Sequence, residues 1–439
     1  MAMVVKNNMS ALSTLNTLNK NTNALSKSLQ KVSSGMKINS AADDASGYAI
    51  SERMRVQIRS LDQANSNSQN GGSMMKVAEG AVSSTVEILK TLKEKAVNAA
   101  NDTNTDADRQ TIQKELDQSI DQINDNANVT FNGQYLVDGS KNSATKATCT
   151  ALTNQSLGLK TTGSTKLTEL TARNGDKLNI RATDKVTVSW VKDGKTYSCS
   201  MEVKDSTTLS KVFDTLTDGK DKLSSYIDIK NTGSLITVDG SGNTIYTASG
   251  ESALTLVAAK SGIDEQISGF TISITDNTGA VRKSANAALD AFNETLRAQN
   301  TSEDNSINLQ VGTKANQTIK VGLTDMKAQA LGLQGKDNST LQVGNQKQAN
   351  AAINVLDAAI QKALDQQTTI GAVQSRLEYT QSNLTTASEN VTAAESTIRD
   401  ADMAKEMTEY TKNNVLMQAA QSMLAQANQS SSNVLSLLQ

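Results

Sequence analysis

The chain has 439 residues, 37% of them hydrophobic, with 43 Lys and Arg against 45 Asp and Glu for a net charge of −2, and it contains neither His nor Pro. This balance provides no general basic surface for nucleic acid, and aromatic residues at 3% provide no base-stacking platform. Without His there is no Ser-His-Asp or Cys-His pair, no His-ligated zinc and no imidazole base near neutral pH, so the expectation is a non-enzyme with no cofactor and no metal.

Size allows roughly two to four domains. Average usage would supply roughly 5% Pro. Its absence is read either as the bias of a helix-rich chain or as the removal of slow prolyl isomerisation from refolding after a narrow pore. The opening residues, MAMVVKNNMSALSTLNTLNK, lack the apolar core and cleavage site of a Sec signal peptide. No run approaches the about 18 apolar residues of a membrane span, so no membrane insertion is expected.

From Met9 to about Ala127 apolar residues recur at helical spacing: Leu18, Leu25, Leu29, Val32 and Met36, then Ile50, Met54, Ile58 and Leu61, then Val86, Leu89, Leu92 and Ala96, then Ile112, Leu116, Ile120 and Ile123. Turn formers predict breaks at Ser33-Ser34-Gly35, at Asn70-Gly71-Gly72 and at Asn101 to Asn104.

The middle zone, roughly Ala144 to Asp304, is rich in Thr, Ser, Gly and Asp and changes to a period of two. In VTVSWVKDGKTYSCSMEV the pair Asp193-Gly194 fits a two-residue type I′ turn. Counting outward pairs Trp190 with Tyr197, Val188 with Cys199 and Val186 with Met201 on one apolar face. A short helix is expected in TTLSKVFDTLTDG, with Leu209, Val212, Phe213 and Leu216 on one stripe and Gly219 as its stop. SSYIDIK, SLITVDGSGNTIYTA and GFTISITD read as strands.

Two cysteines are too few for a disulfide framework; Cys199 reads as a small buried hydrophobe, with a bridge to Cys149 as the alternative. DGSGN at Asp239 to Asn243 reads as a hairpin turn, since the acidic spacing of a calcium loop is absent.

From about Gln348 the pattern is helical again. Ile370, Leu377, Leu384, Val391 and Ile398 repeat every seven residues, a seam that needs another helix as its partner. The period resumes through Leu416, Ala420, Met423, Ala427, Val434 and Leu438. From Asn413 to Gln439 there is no Asp, Glu, Lys or Arg, whereas Met1 to Ser40 carries Lys6, Lys20, Lys27, Lys31 and Lys37 and no acid. An isolated helix pair is marginal in water, so these end segments are expected to gain order by packing against copies of the same chain in an open, repeating contact. The expected fold is mainly α with an inserted α+β domain, the long N- and C-terminal helices forming a coiled-coil-like rod that carries a β-rich outer domain.

The stretches KVSSGMKINSAADDASGYAISERMRVQIRSLDQANSN, KVAEGAV and TFNGQYLVDG resemble the N-terminal region of bacterial flagellins. IGAVQSRLEYTQSNL, STIRDADMAKEM and MLAQANQSSSNVLSLLQ are similar to the flagellin C-terminal region. The resemblance implies an extracellular flagellar filament subunit that serves motility, exported unfolded by the flagellar type III apparatus. It implies as partners copies of itself, an export chaperone, the filament cap and hook-junction proteins. The segments it implies are 1–45 and 397–439 for the filament core, 46–143 and 305–396 for the rod, and 144–304 for the inserted outer domain. INLQVGTKANQTIKVGLTD is the rod's expected β-hairpin.

The core polymerisation residues would be Leu18, Leu25, Leu29, Val32, Met36, Leu416, Met423, Val434 and Leu438. Ser431 stands where flagellins commonly have Pro, so a more continuous tail helix is expected. Many flagellins carry a rod stretch resembling LQRVRELAVQ that a host Toll-like receptor recognises. Here it reads LKTLKEKAVN, in which Leu89 and Glu94 match while Thr91 and Lys93 replace the two Arg, so weak recognition is expected. Alternatives are a hook-filament junction protein, or a filament subunit whose inserted domain is a surface adhesin.

Overall fold

A computed structural model describes residues 8–217, 222–230, 235–247 and 250–436, the side chains of residue 431 and residues 433–436 excepted. Contacts divide the described residues into two compact units. One takes Met1–Ser68, Gln310–Gln317 and Tyr379–Gln439, the other Gln69–Leu309 and Thr318–Glu378. The N-terminal helices are α1 (Met9–Ser34), α2 (Ala45–Ala99) and α3 (Asp106–Ala127), followed by the short hairpin β1 (Thr130–Phe131) and β2 (Gln134–Tyr135).

Two of the three expected breaks are present. α1 stops at Ser34, where the Gly35 N–H donates to Lys31 O at 2.9 Å. α3 starts on a capping box between Thr105 and Asp108. The third is absent, because α2 runs unbroken through Asn70-Gly71-Gly72. A Cβ on Gly71 would sit 2.7 Å from Leu309 Cδ1, so the glycine is there to admit a neighbouring chain segment. Packing offsets the roughly 1 kcal/mol that a glycine costs in a helix interior.

The middle zone contains β3 (Ala151–Asn154), β4 (Lys185–Lys192), β5 (Lys195–Glu202), α4 (Leu209–Thr215), β6 (Ile227–Lys230), β7 (Leu235–Val238), β8 (Thr244–Tyr246), β9 (Leu254–Ala258), β10 (Gly269–Thr275), α5 (Lys283–Leu289) and β11 (Phe292–Leu296). Two antiparallel sheets, ordered β10-β4-β5 and β11-β3-β9-β6, contribute to one apolar core with α4 and α5. Trp190, fully buried, stacks on Tyr197 at 5.5 Å between ring centroids, and Phe270 meets Phe213 and Phe292 at 5.8 and 5.2 Å.

The β4–β5 register is the one counted from the turn, Trp190 opposite Tyr197, Val188 opposite Cys199 and Val186 opposite Met201. Asp193 and Gly194 both have positive φ, 51° and 70°, as a type I′ turn requires. Leu209, Val212, Phe213 and Leu216 are buried as expected, while Gly219 lies outside the described residues. Asp239 accepts from the N–H groups of Ser241 and Asn243, closing the β7–β8 hairpin turn with its own backbone.

The chain continues with β12 (Ile307–Gln310), paired with β13 (Thr318–Val321), then α6 (Gln346–Arg399) and α7 (Met403–Ser436). α7 passes through Ser431 without a break. In the second unit Lys95 pairs with Glu115 at 2.9 Å, linking α2 to α3. Gln374 Nε2 donates to Glu79 at 2.7 Å, linking α6 to α2.

Candidate assembly surface

Within the first unit α1 and α7 lie antiparallel. Along α1, Asn8 donates to Ala427 O (3.2 Å), Asn21 to Leu416 O (3.2 Å), Ser28 Oγ accepts from Asn413 (3.1 Å), and Lys31 pairs with Glu406 (3.4 Å). On α1 a series of covered positions, Ala11, Thr14, Leu18, Asn21, Leu25, Ser28 and Val32, is spaced alternately by three and four. On α7 Glu406, Tyr410, Asn413, Met417, Ala420, Leu424 and Ala427 form a covered series with the same alternation. This is a coiled-coil seam in which every second α1 position is Thr, Asn or Ser. Such polar positions fix register and reduce stability.

The remaining apolar side chains face outward. Met9, Leu12, Leu15 and Leu29 on α1 are exposed, as are Met403, Met407, Val415, Leu416 and Met423 on α7. Large apolar side chains left open in this number on one helix pair mark it as a place where a partner docks. The structure therefore splits the expected core residues. Leu18, Leu25 and Val32 lie in the seam, and Met36 is half-buried just past α1. Leu29, Leu416 and Met423 are open. Leu438 and the Val434 side chain lie outside the described residues.

The loop after α1 is fixed to the end of α6. The Lys37 N–H donates to Arg399 O at 2.7 Å and the Ala401 N–H to Gly35 O at 2.9 Å. The Arg399 guanidinium is almost fully buried, donates to Glu52 at 2.6 Å and to Ser51 Oγ at 3.3 Å, and lies 5.4 Å from the centre of the Tyr48 ring. That guanidinium holds the Glu52 carboxyl below its usual range. Asp43 is held low by the Ser40 N–H and Asp44 by the Gly47 N–H, so both carboxylates organise the loop leading into α2.

The expected heptad positions lie on one helix, α6. In the second unit Ile370 and Leu377 are buried. In the first, Leu384 packs with Leu61 and Ala64 of α2, joined by half-buried Val391; Ile398 is half-buried. Arg55 reaches Glu395 at 3.2 Å and Ser388 reaches Asp62 at 3.1 Å, so the partner helix there is α2, antiparallel to α6.

The receptor-matching stretch is not a uniform surface. Leu89 is fully buried in α2 and is core, whereas Thr91 and Glu94 are exposed and Lys93 pairs with Asp357. Leu89 is thus a packing residue, which its helical spacing to Val86 and Leu92 already signalled. Cys149 and Cys199 are not bridged; the Cys199 thiol donates to Thr217 O at 2.7 Å.

Sequence reasoning passed over Asn21, Ser28 and Asn413, since polar residues do not register in a search for apolar periodicity. It also passed over Arg399 with Tyr48 and Glu52. A heptad count that admitted polar members would have found the first set.

The model of the bacterial flagellin N-terminal helical region matches residues 5–142, and that of the C-terminal helical region matches residues 353–438. The chain is 35% identical over 428 residues to a flagellin of Clostridium tyrobutyricum, covering 97% of this chain and 99% of the relative. It is 30% identical over 456 residues to a flagellin of Bacillus subtilis (strain 168), covering 99% and 100%. A solved structure, flagellar hook associated protein-3 from Legionella pneumophila, aligns at 15% identity and a TM-score of 0.34 over 78% of this chain and 97% of that one, too loosely to bear on the assignment. Matched at both of its helical ends and along nearly its whole length, the chain belongs to the flagellin family.

Proposed function

We propose that this chain is the subunit of a bacterial flagellar filament, polymerising through α1 and α7 into an extracellular structure used for swimming. The observation that carries this reading is the set of large apolar side chains left open on those helices, Leu12, Leu15, Leu29, Val415, Leu416 and Met423, on a pair whose seam is half polar on α1. Copies of the same chain would cover it. Segments 1–45 and 397–439 would form the filament core, 46–143 and 305–396 the rod, and 144–304 the outer domain. Export as an unfolded chain through the flagellar type III apparatus, with a chaperone, a cap and junction proteins as partners, belongs to the same proposal and is supported by family membership. Among the described residues no helix is long and apolar enough to cross a membrane.

Electron microscopy of the purified protein after salt-induced polymerisation tests the reading. Long hollow filaments support it. A protein that stays monomeric, and is scarce in the sheared extracellular fraction, would instead fit a junction protein.

Weak engagement of the host Toll-like receptor is part of the same proposal. Thr91 and Lys93 lack the forked donors of Arg, and Lys93 is already paired with Asp357. A reporter-cell assay with full response at picomolar protein would overturn it.

A further inference from the structure

The chain holds three Asn-Gly pairs, Asn70-Gly71, Asn132-Gly133 and Asn174-Gly175. In this dipeptide the backbone nitrogen of the glycine can attack the side-chain carbonyl carbon of the asparagine, because no Cβ on the glycine hinders the approach. The attack needs a side chain free to swing, a glycine N–H open to solvent base, and a backbone that can leave its resting geometry. The three pairs differ in all of these.

Asn70 lies inside α2, where the Gly71 N–H belongs to the helix ladder, and Gly71 itself is buried against Leu309. Asn174 is exposed but held: the Gly175 N–H donates to Ala172 O at 2.9 Å, while the Asn174 side chain accepts from the Asp176 N–H at 3.1 Å and donates to the Asp176 carboxylate at 2.6 Å. Asn132 is held by nothing comparable. It is exposed with Gly133 at the tip of the β1–β2 hairpin, where both residues have positive φ, 49° and 75°, as in a type I′ turn. Among the described residues neither its side chain nor the Gly133 N–H has a hydrogen-bond partner, and a Cβ on Gly133 would meet nothing within 4 Å. The strands flanking the turn are two residues each, with Thr130, Gln134 and Tyr135 exposed. So short a ribbon opens locally at little cost.

We propose that Asn132 is a self-modification site, converted without an enzyme to aspartate and isoaspartate once the chain has folded. The Gly133 nitrogen bonds to Asn132 Cγ and the Cγ–Nδ2 bond breaks. The proton of the Gly133 N–H, carried by solvent, leaves with the side-chain nitrogen as ammonia, and a cyclic imide remains. Water then adds to one of the two imide carbonyls. Opening at Cγ gives aspartate on the original backbone, and opening at the main-chain carbonyl gives isoaspartate, whose backbone runs through the former side chain. Nothing is oxidised or reduced. Either product places a new carboxylate on the hairpin tip, and isoaspartate also lengthens the turn, so that Phe131 no longer lies opposite Gln134 as it does in the unmodified chain. Since the converted fraction grows with time, each copy carries a record of its age.

The experiment uses the full-length, unassembled chain, so its outcome does not depend on filament formation. The protein is warmed in mildly alkaline buffer, folded or in urea, then digested at acidic pH, and the three Asn-Gly peptides are followed by mass spectrometry, with a protein isoaspartyl methyltransferase reporting isoaspartate. In the folded chain Asn132 should convert about tenfold faster than Asn174, which must first give up backbone and side-chain hydrogen bonds. Asn70 should be slowest. In urea the three rates should converge, because only the fold separates them. Asn132→Gln should remove the main isoaspartate signal of the folded chain and leave conversion at Asn70 and Asn174 as it was. Equal or faster conversion at Asn174 or Asn70 in the folded chain would overturn the proposal, as would an Asn132 that stays intact while the chain in urea converts.

Discussion

Truncating Met423 and Leu416 to Ala tests whether the open face of α7 is covered in the polymer. Met423 is 62% exposed and Leu416 42%. Fully burying such side chains contributes roughly 1.5–3 kcal/mol each, so covering the exposed part of Met423 is worth roughly 1–2 kcal/mol. Ala retains its Cβ, which places the loss near about 1 kcal/mol for Met423→Ala and ~0.6 kcal/mol for Leu416→Ala. These losses raise the critical concentration for assembly about fivefold and about threefold. Two helical turns separate the sites, so the double variant should need about fifteenfold more protein. Ala is the best helix former, and exposed substitutions stay within about 0.5 kcal/mol of neutral in the free chain. The critical concentration is measured by sedimentation of polymer across a dilution series, with circular dichroism confirming unchanged helix content. A double variant that polymerises at the original critical concentration would refute the assignment of this face to the interface.

Leu384→Asp places a charge against Leu61 and Ala64 with no partner, costing several kcal/mol; it should abolish assembly, and normal filaments by electron microscopy would count against the placement. Desolvation by burial pushes the Asp290 carboxyl up to about 6. The folded state therefore binds this proton more tightly than the unfolded chain, whose carboxyl titrates near about 3.9. Asp290 should thus make stability rise as pH falls from about 7 towards 4. The urea midpoint at pH 5 against pH 7.5 should differ less in Asp290→Asn than in the parent, and an identical difference would exclude the effect. Alkylation under denaturing conditions without reductant should label both Cys149 and Cys199, and mass spectrometry showing neither labelled would indicate a bridge.

The long helices and the β4–β5 hairpin were legible because one local rule controls each. Apolar residues at helical spacing located the helices, and Asp193-Gly194 set the register that places Trp190 opposite Tyr197. Asn70-Gly71-Gly72 misled, since the packing that tolerates Gly71 comes from Leu309, far away in sequence. The assembly surface was half legible. Leu18, Leu25 and Val32 announce the seam, but Thr14, Asn21 and Ser28 occupy its alternate positions and give no apolar signal. Leu416 and Met423 look like ordinary core in a periodicity search, and only coordinates show that both are left exposed among the described residues.

The close contact at Gly269 bears on protein engineering. In the proposed filament the middle zone would be the place to graft a foreign domain, but α6 is shaped there to receive β10 at backbone distance. Cutting out residues 144–304 would leave Ala351 and Val355, both fully buried now, facing water. A graft that retains β10 and the strands supporting it, and inserts its cargo at the β7–β8 turn around Gly242, would leave that helix face dressed.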